Sequence, residues 1–71
     1  MARTSKPKQV SYKGDTYTIT RNSSNMATIR GTSGSWTVNR FEVERAIEEA
    51  RVARDIELEN WNQAILNVLG D

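Results

Sequence analysis

The chain has no cysteine and no histidine. Without cysteine, no disulfide can staple it and no thiolate can hold a metal, a composition that suits a reducing compartment. Without histidine, the usual general base near neutral pH and the commonest metal ligand are both missing. The four glycines fall in turns or at the C-terminus, so no glycine-rich phosphate loop is formed. No apolar run approaches the roughly 18 residues needed to span a membrane. The basic N-terminus is not followed by an apolar segment, so it does not read as a secretory signal. These absences lead to the expectation of a cytoplasmic, non-enzymatic protein with no cofactor, no metal and no membrane partner. Seventy-one residues make one small domain whose core is marginal.

What the sequence does have is a split of charge. Residues 1–40 hold seven basic groups (Arg3, Lys6, Lys8, Lys13, Arg21, Arg30 and Arg40) against one acid, Asp15. Residues 41–71 hold three basic groups against eight acids. The net charge of +1 conceals this division. Asymmetry between halves points to a polyanionic partner for the basic half.

The residue pattern changes at the same place. Residues 1–8 have almost nothing apolar to bury and read as a basic arm, leaving 9–71 as the domain. Val10 and Tyr12 allow a short first strand before the turn Lys13-Gly14-Asp15. Thr16 to Arg21, Met26 to Arg30 and Ser35 to Val38 alternate as half-buried strands. Asn22 to Asn25 and Gly31 to Gly34 form the turns between them. Connections this short require antiparallel neighbours. The sheet is therefore expected over 10–38, with three strands and room for a fourth.

Asn39 is a favoured helix N-cap, and Glu42 three residues on completes a capping box. From there apolar residues recur at spacings of three and four: Val43, Ala46, Ile47, Ala50, Ala53, then Leu58, Trp61, Ala64, Ile65, Val68 and Leu69. The pattern predicts helix over 40–69. Unbroken, it would be about 45 Å long, more than so small a sheet covers. Arg54 and Glu57 also interrupt the stripe, and Asn60 with Gln63 offers a second capping box. Either the helix bends or restarts near 55–60, or its C-terminal part packs on another chain as a helical dimer.

The acids of the helix interleave with Arg45, Arg51 and Arg54 as i,i+3 and i,i+4 pairs, such as Arg51–Asp55. That is a solvated ion-paired face and not a metal site. Trp36 and Trp61 could stack on bases, but in a domain this small they read first as core. The outer sheet face is the sharper candidate. If Ile19, Ala27, Ile29, Trp36 and Val38 face the helix, then Thr18, Thr20, Thr28, Arg30 and Thr37 face solvent together. Threonine hydroxyls and an arginine fork suit base edges and phosphates. Lys13, Arg21 and Arg40 near the strand ends, with Arg3, Lys6 and Lys8 in the arm, add to the case for duplex DNA.

The segments Trp36-Thr37-Val38-Asn39-Arg40-Phe41, Ala46-Ile47-Glu48-Glu49-Ala50-Arg51 and Ile56-Glu57-Leu58 bear on this. Together with the order of strands, they resemble the arm-site-binding N-terminal domain of phage-type tyrosine integrases. They are also similar to the related DNA-binding domain of plant ethylene-responsive factors. The resemblance covers residues 16–58. It implies a sheet whose solvent face enters the major groove, with Thr18, Thr20, Thr28, Arg30 and Thr37 on bases and Arg21 and Arg40 on phosphates. It also suggests a phage or mobile-element origin. The chain departs from those domains in carrying fewer arginines on the sheet. It has no recombinase catalytic domain, so binding alone is expected.

The reading is thus an α+β domain, an antiparallel sheet packed against one long helix, acting as a DNA-binding accessory or regulatory protein. The alternative is a protein–protein adaptor or inhibitor. It would act through the acidic helix or an apolar patch of Val52, Ile56, Trp61, Ile65 and Leu69.

Overall fold

The computed structural model describes residues 7–70. Four strands come first: β1 (Lys8–Tyr12), β2 (Asp15–Arg21), β3 (Met26–Gly31) and β4 (Gly34–Asn39). They form one antiparallel sheet in the order β1-β2-β3-β4. The first strand begins at Lys8, paired with Ile19, so Lys8 belongs to the sheet and not to an arm. The other arm residues with assigned contacts, Arg3 and Lys6, lie outside the described residues.

The β1–β2 turn is made by Lys13 and Gly14, with φ of 53° and 84°. Positive φ at both positions matches the right-handed twist of a two-residue hairpin. Glycine takes this conformation freely, whereas Lys13 bears a steric cost. The Lys13 backbone N–H donates to Glu57 Oε2 at 3.3 Å, tying the turn to the helical layer.

Helix α1 (Arg40–Ala53) opens with the expected capping box. Glu42 N–H donates to Asn39 Oδ1 at 2.8 Å, and Asn39 N–H donates to Glu42 Oε1 at 3.1 Å. The long single helix of the sequence reading does not form. The chain leaves α1 at Arg54, which is left-handed at φ 57°, ψ 37°. Arg54 N–H donates to Arg51 O at 3.1 Å and Asp55 N–H to Ala50 O at 2.9 Å, the bonding of a Schellman motif. Asp55 then caps helix α2 (Ile56–Gly70) by accepting from Leu58 N–H at 3.1 Å. The restart uses Asp55, and Asn60 and Gln63 lie inside α2.

The two helices turn back on each other as an antiparallel hairpin. Arg51 Nε meets Glu59 Oε2 at 3.0 Å near the hairpin tip, displacing the Arg51–Asp55 pairing expected within one helix. At the other end Arg40 reaches Leu69 O at 3.5 Å. The hairpin covers one sheet face and leaves the other in water, the usual arrangement for an antiparallel sheet. Ile19, Ala27 and Ile29 from the sheet meet Val43 and Ile47 from α1 and Trp61, Ile65, Val68 and Leu69 from α2. Folding back is favoured because α2 thereby buries most of its apolar stripe, at about 25 cal/mol per Å² removed from water.

An aromatic group fills the β1–β2 end of this core. Trp61 stacks on Tyr12 (centroids 5.0 Å, planes 15° apart) and tilts against Tyr17 (5.0 Å). Tyr17 in turn meets Trp36 edge-on at 5.9 Å. Offset and edge-on geometries of this kind each add about 0.5–1.5 kcal/mol beyond burial.

Candidate nucleic-acid interface

The strand registers settle which side chains share the water-facing side. One cross-strand row holds Gln9, Thr18, Arg30 and Ser35, and a second holds Thr20, Thr28 and Thr37. Two residues along a strand separate the rows, about 7 Å. Thr18, Thr20, Thr28, Arg30 and Thr37, expected together from alternation alone, are thus on one face. Arg30 and Thr37 are exposed and the other three are half-buried.

Thr18, Thr20, Asn22, Thr28 and Arg30 line a shallow depression of about 230 Å³. Asn22 Nδ2 donates to Thr28 Oγ1 at 2.7 Å, which fixes the amide at the rim. Both rows are uncharged apart from Arg30. The face therefore offers hydroxyl and amide groups that can donate or accept, around one guanidinium that only donates.

The remaining basic residues are not brought to this face. Arg21 pairs with Ala27 in the register, on the helix-side phase of β2, and its Nε donates to Ser23 O at 3.3 Å. Arg40 is drawn into the structure. Its Nη2 donates to Ser24 O at 3.2 Å and to Leu69 O at 3.5 Å, so it closes the β2–β3 loop and meets the negative end of the α2 dipole. Lys13 sits at the β1–β2 turn, its ammonium 5.5 Å from the Tyr12 ring centre. Lys8 shares the β1 phase of Val10 and Tyr12, the helix side.

The assignment of an apolar partner patch needs a larger correction. Trp61, Ile65 and Leu69 are core residues, Trp61 only 9% exposed, because α2 folds back on its own sheet. A helical dimer through that stripe has no surface left to form on. Val52 and Ile56 do stand out, 78% and 70% exposed at the hairpin tip. Trp61 is likewise excluded from base stacking, whereas Trp36 keeps 44% of its surface.

Reading the sequence for this face overlooked Gln9, Ser35 and Asn22. The signal for Asn22 and Ser35 was the period of two that runs through Thr18 and Thr20 to Asn22 and through Ser35 to Thr37. Gln9 could be placed only once β1 was paired. Among the described residues no group of three or more His, Cys, Asp or Glu side chains could hold a metal, and no helix is long and apolar enough to cross a membrane. No protein-family model, curated protein or solved structure matches the chain.

Proposed function

We propose that the chain binds duplex DNA through the water-facing side of its sheet, as an accessory or regulatory protein and not as an enzyme. The observation that carries this reading is the separation of charge by layer. Among the described residues the sheet half (7–39) holds four basic groups against one acid, and the helical half (40–70) four against seven. Arg30 stands in the middle of the polar face, on β3, flanked by hydroxyls on both sides. Three strands, β2 to β4, span about 10 Å between outer strand axes. That is close to the roughly 12 Å width of the major groove. The polar rows would read base edges through Arg30 and the threonines. Arg3 and Lys6 would meet phosphates, and Lys8 and Arg21, on the helix-side phase of their strands, would do so only around the strand ends.

The test is a titration with mixed-sequence duplex at several salt concentrations. With about four phosphates neutralised, log affinity should fall against log salt with a slope of about −3 to −4. Arg30→Ala should reduce affinity and abolish base preference, while Arg45→Ala on the helical layer should change neither. Absence of binding at low salt would refute the proposal. A second reading, an adaptor docking through the hairpin tip, is favoured by the exposure of Val52 and Ile56. It would then take first place.

A further inference from the structure

The two edges of the sheet are treated differently by the sequence. Edge strands offer unpaired N–H and C=O groups, and proteins blunt them with lysine, proline, bulges or short length. The β1 edge is five residues long, begins at Lys8 and runs into Lys13. The β4 edge has six residues, GSWTVN, with no charge and no proline. It pairs with β3 without a bulge from Met26↔Asn39 to Gly31↔Gly34. Among the described residues no element covers its outer side.

The direction of its free groups follows from the hairpin. Gly31 and Gly34 close a two-residue turn and exchange hydrogen bonds. Alternation then commits Gly34, Trp36 and Val38 to β3 and leaves Ser35 and Thr37 facing outward. Beside this edge, Trp36, Val38, Ala46 and Leu58 line a mostly apolar groove of about 260 Å³, with Glu42 and Asn62 on its wall. Trp36 is 44% exposed there, and Phe41, just beyond the strand, is 74% exposed.

We infer that β4 pairs antiparallel with β4 of a second copy of this chain about a two-fold axis at Trp36, joining two sheets into one of eight strands. With the axis there, Ser35 of one copy exchanges both backbone bonds with Thr37 of the other, and the reverse, giving four interchain bonds. Trp36 faces its own counterpart in a non-hydrogen-bonded pair, where side chains approach most closely. The indoles cover each other at the mouth of the groove. Each Gly34 meets Val38, and each β3–β4 turn meets the region of Phe41. The β4 strand carries no charge to desolvate, whereas the β1 edge holds Lys8 within it. A second copy is the occupant that this self-complementarity selects. The contact rests on one strand and a few side chains, so the dimer is a weak, concentration-dependent one.

Sedimentation equilibrium of the full chain should show a species of twice the 8.0 kDa monomer that grows with concentration. Thr37→Pro removes an outward N–H that the monomer does not use, a position where edge strands tolerate proline. It should weaken the dimer at least tenfold with the melting transition retained. Trp36→Glu and Trp36→Lys should each be monomeric, and an equimolar mixture should restore the dimer. That mixture decides the matter even if Thr37→Pro fails to fold. A wild-type chain that stays monomeric at millimolar concentration, a mixture that does not associate, or assemblies growing beyond two copies through a β1–β4 contact would each overturn the inference.

Discussion

Gly31 stands at the end of β3, where a methyl group would collide with a ring. A Cβ built there lies 2.5 Å from Tyr17 Cε1 and 2.7 Å from Cδ1, well inside van der Waals contact. Tyr17 is flanked by Trp36 at 5.9 Å and Trp61 at 5.0 Å between ring centres, so moving aside means giving up those contacts. The Gly31 backbone is ordinary strand, so alanine is otherwise the better residue, by about 0.5–1 kcal/mol of chain entropy. The collision reverses that sign. Overpacking of this kind costs about 1–3 kcal/mol. A domain of this length has roughly 4–10 kcal/mol in total, at about 0.05–0.15 per residue. With about 4–8 °C lost per kcal/mol at this size, Gly31→Ala should melt about 5–20 °C below wild type by circular dichroism. Removing the ring should remove the cost. In a Tyr17→Leu background the same Gly31→Ala change should be neutral or slightly stabilising, a coupling of roughly 1–3 kcal/mol in a double-mutant cycle. A Gly31→Ala protein melting within about 2 °C of wild type, or equal costs in both backgrounds, would refute the reasoning.

Two further stability predictions follow from the helix ends. Asn39→Ala deletes the acceptor for Glu42 N–H and should cost about 1 kcal/mol, the usual worth of a cap, read from the urea midpoint. Arg54→Gly relieves the left-handed strain at φ 57°, and chain entropy offsets part of that gain. It should raise stability by about 0.5–1 kcal/mol with an unchanged urea m-value; a lower midpoint would mean that the Arg54 side chain contributes to the hairpin turn.

Local signals were the legible ones. The phase of β2, β3 and β4 could be read from alternation, and the opening of α1 from the Asn39–Glu42 spacing, because both depend on neighbours within four residues. The helix break was harder. Neither glycine nor proline marks it, and Arg54 takes the left-handed conformation only because turning back lets Trp61, Ile65 and Leu69 reach the sheet. Arg54 and Glu57 on the apolar stripe marked the region, while Asp55 and not Asn60 supplied the cap. The candidate face was legible as to its threonines and Arg30, and illegible as to Arg40. Its carbonyl partners, Ser24 and Leu69, lie 16 and 29 residues away, and no pattern along the chain announces them.

The layering of charge has a consequence for how the molecule behaves among its own copies. Two packed layers lie about 10 Å apart, which is close to the Debye length of about 8 Å at physiological salt and much less than the 30 Å at 0.01 M. In dilute buffer, therefore, a neighbour feels both layers at once, a nearly neutral body with a large dipole moment. Such bodies attract back to front, basic sheet against acidic helices, with little net charge to hold them apart. Added salt screens that attraction before it weakens anything inside the fold. The chain should consequently be least soluble in salt-free solution and dissolve as salt is raised, the salting-in familiar from strongly dipolar proteins. At the ionic strength of a cell the layers are felt more separately, and a partner approaching the sheet meets its basic excess, four basic groups against one acid among the described residues, more than the small net charge of the whole chain.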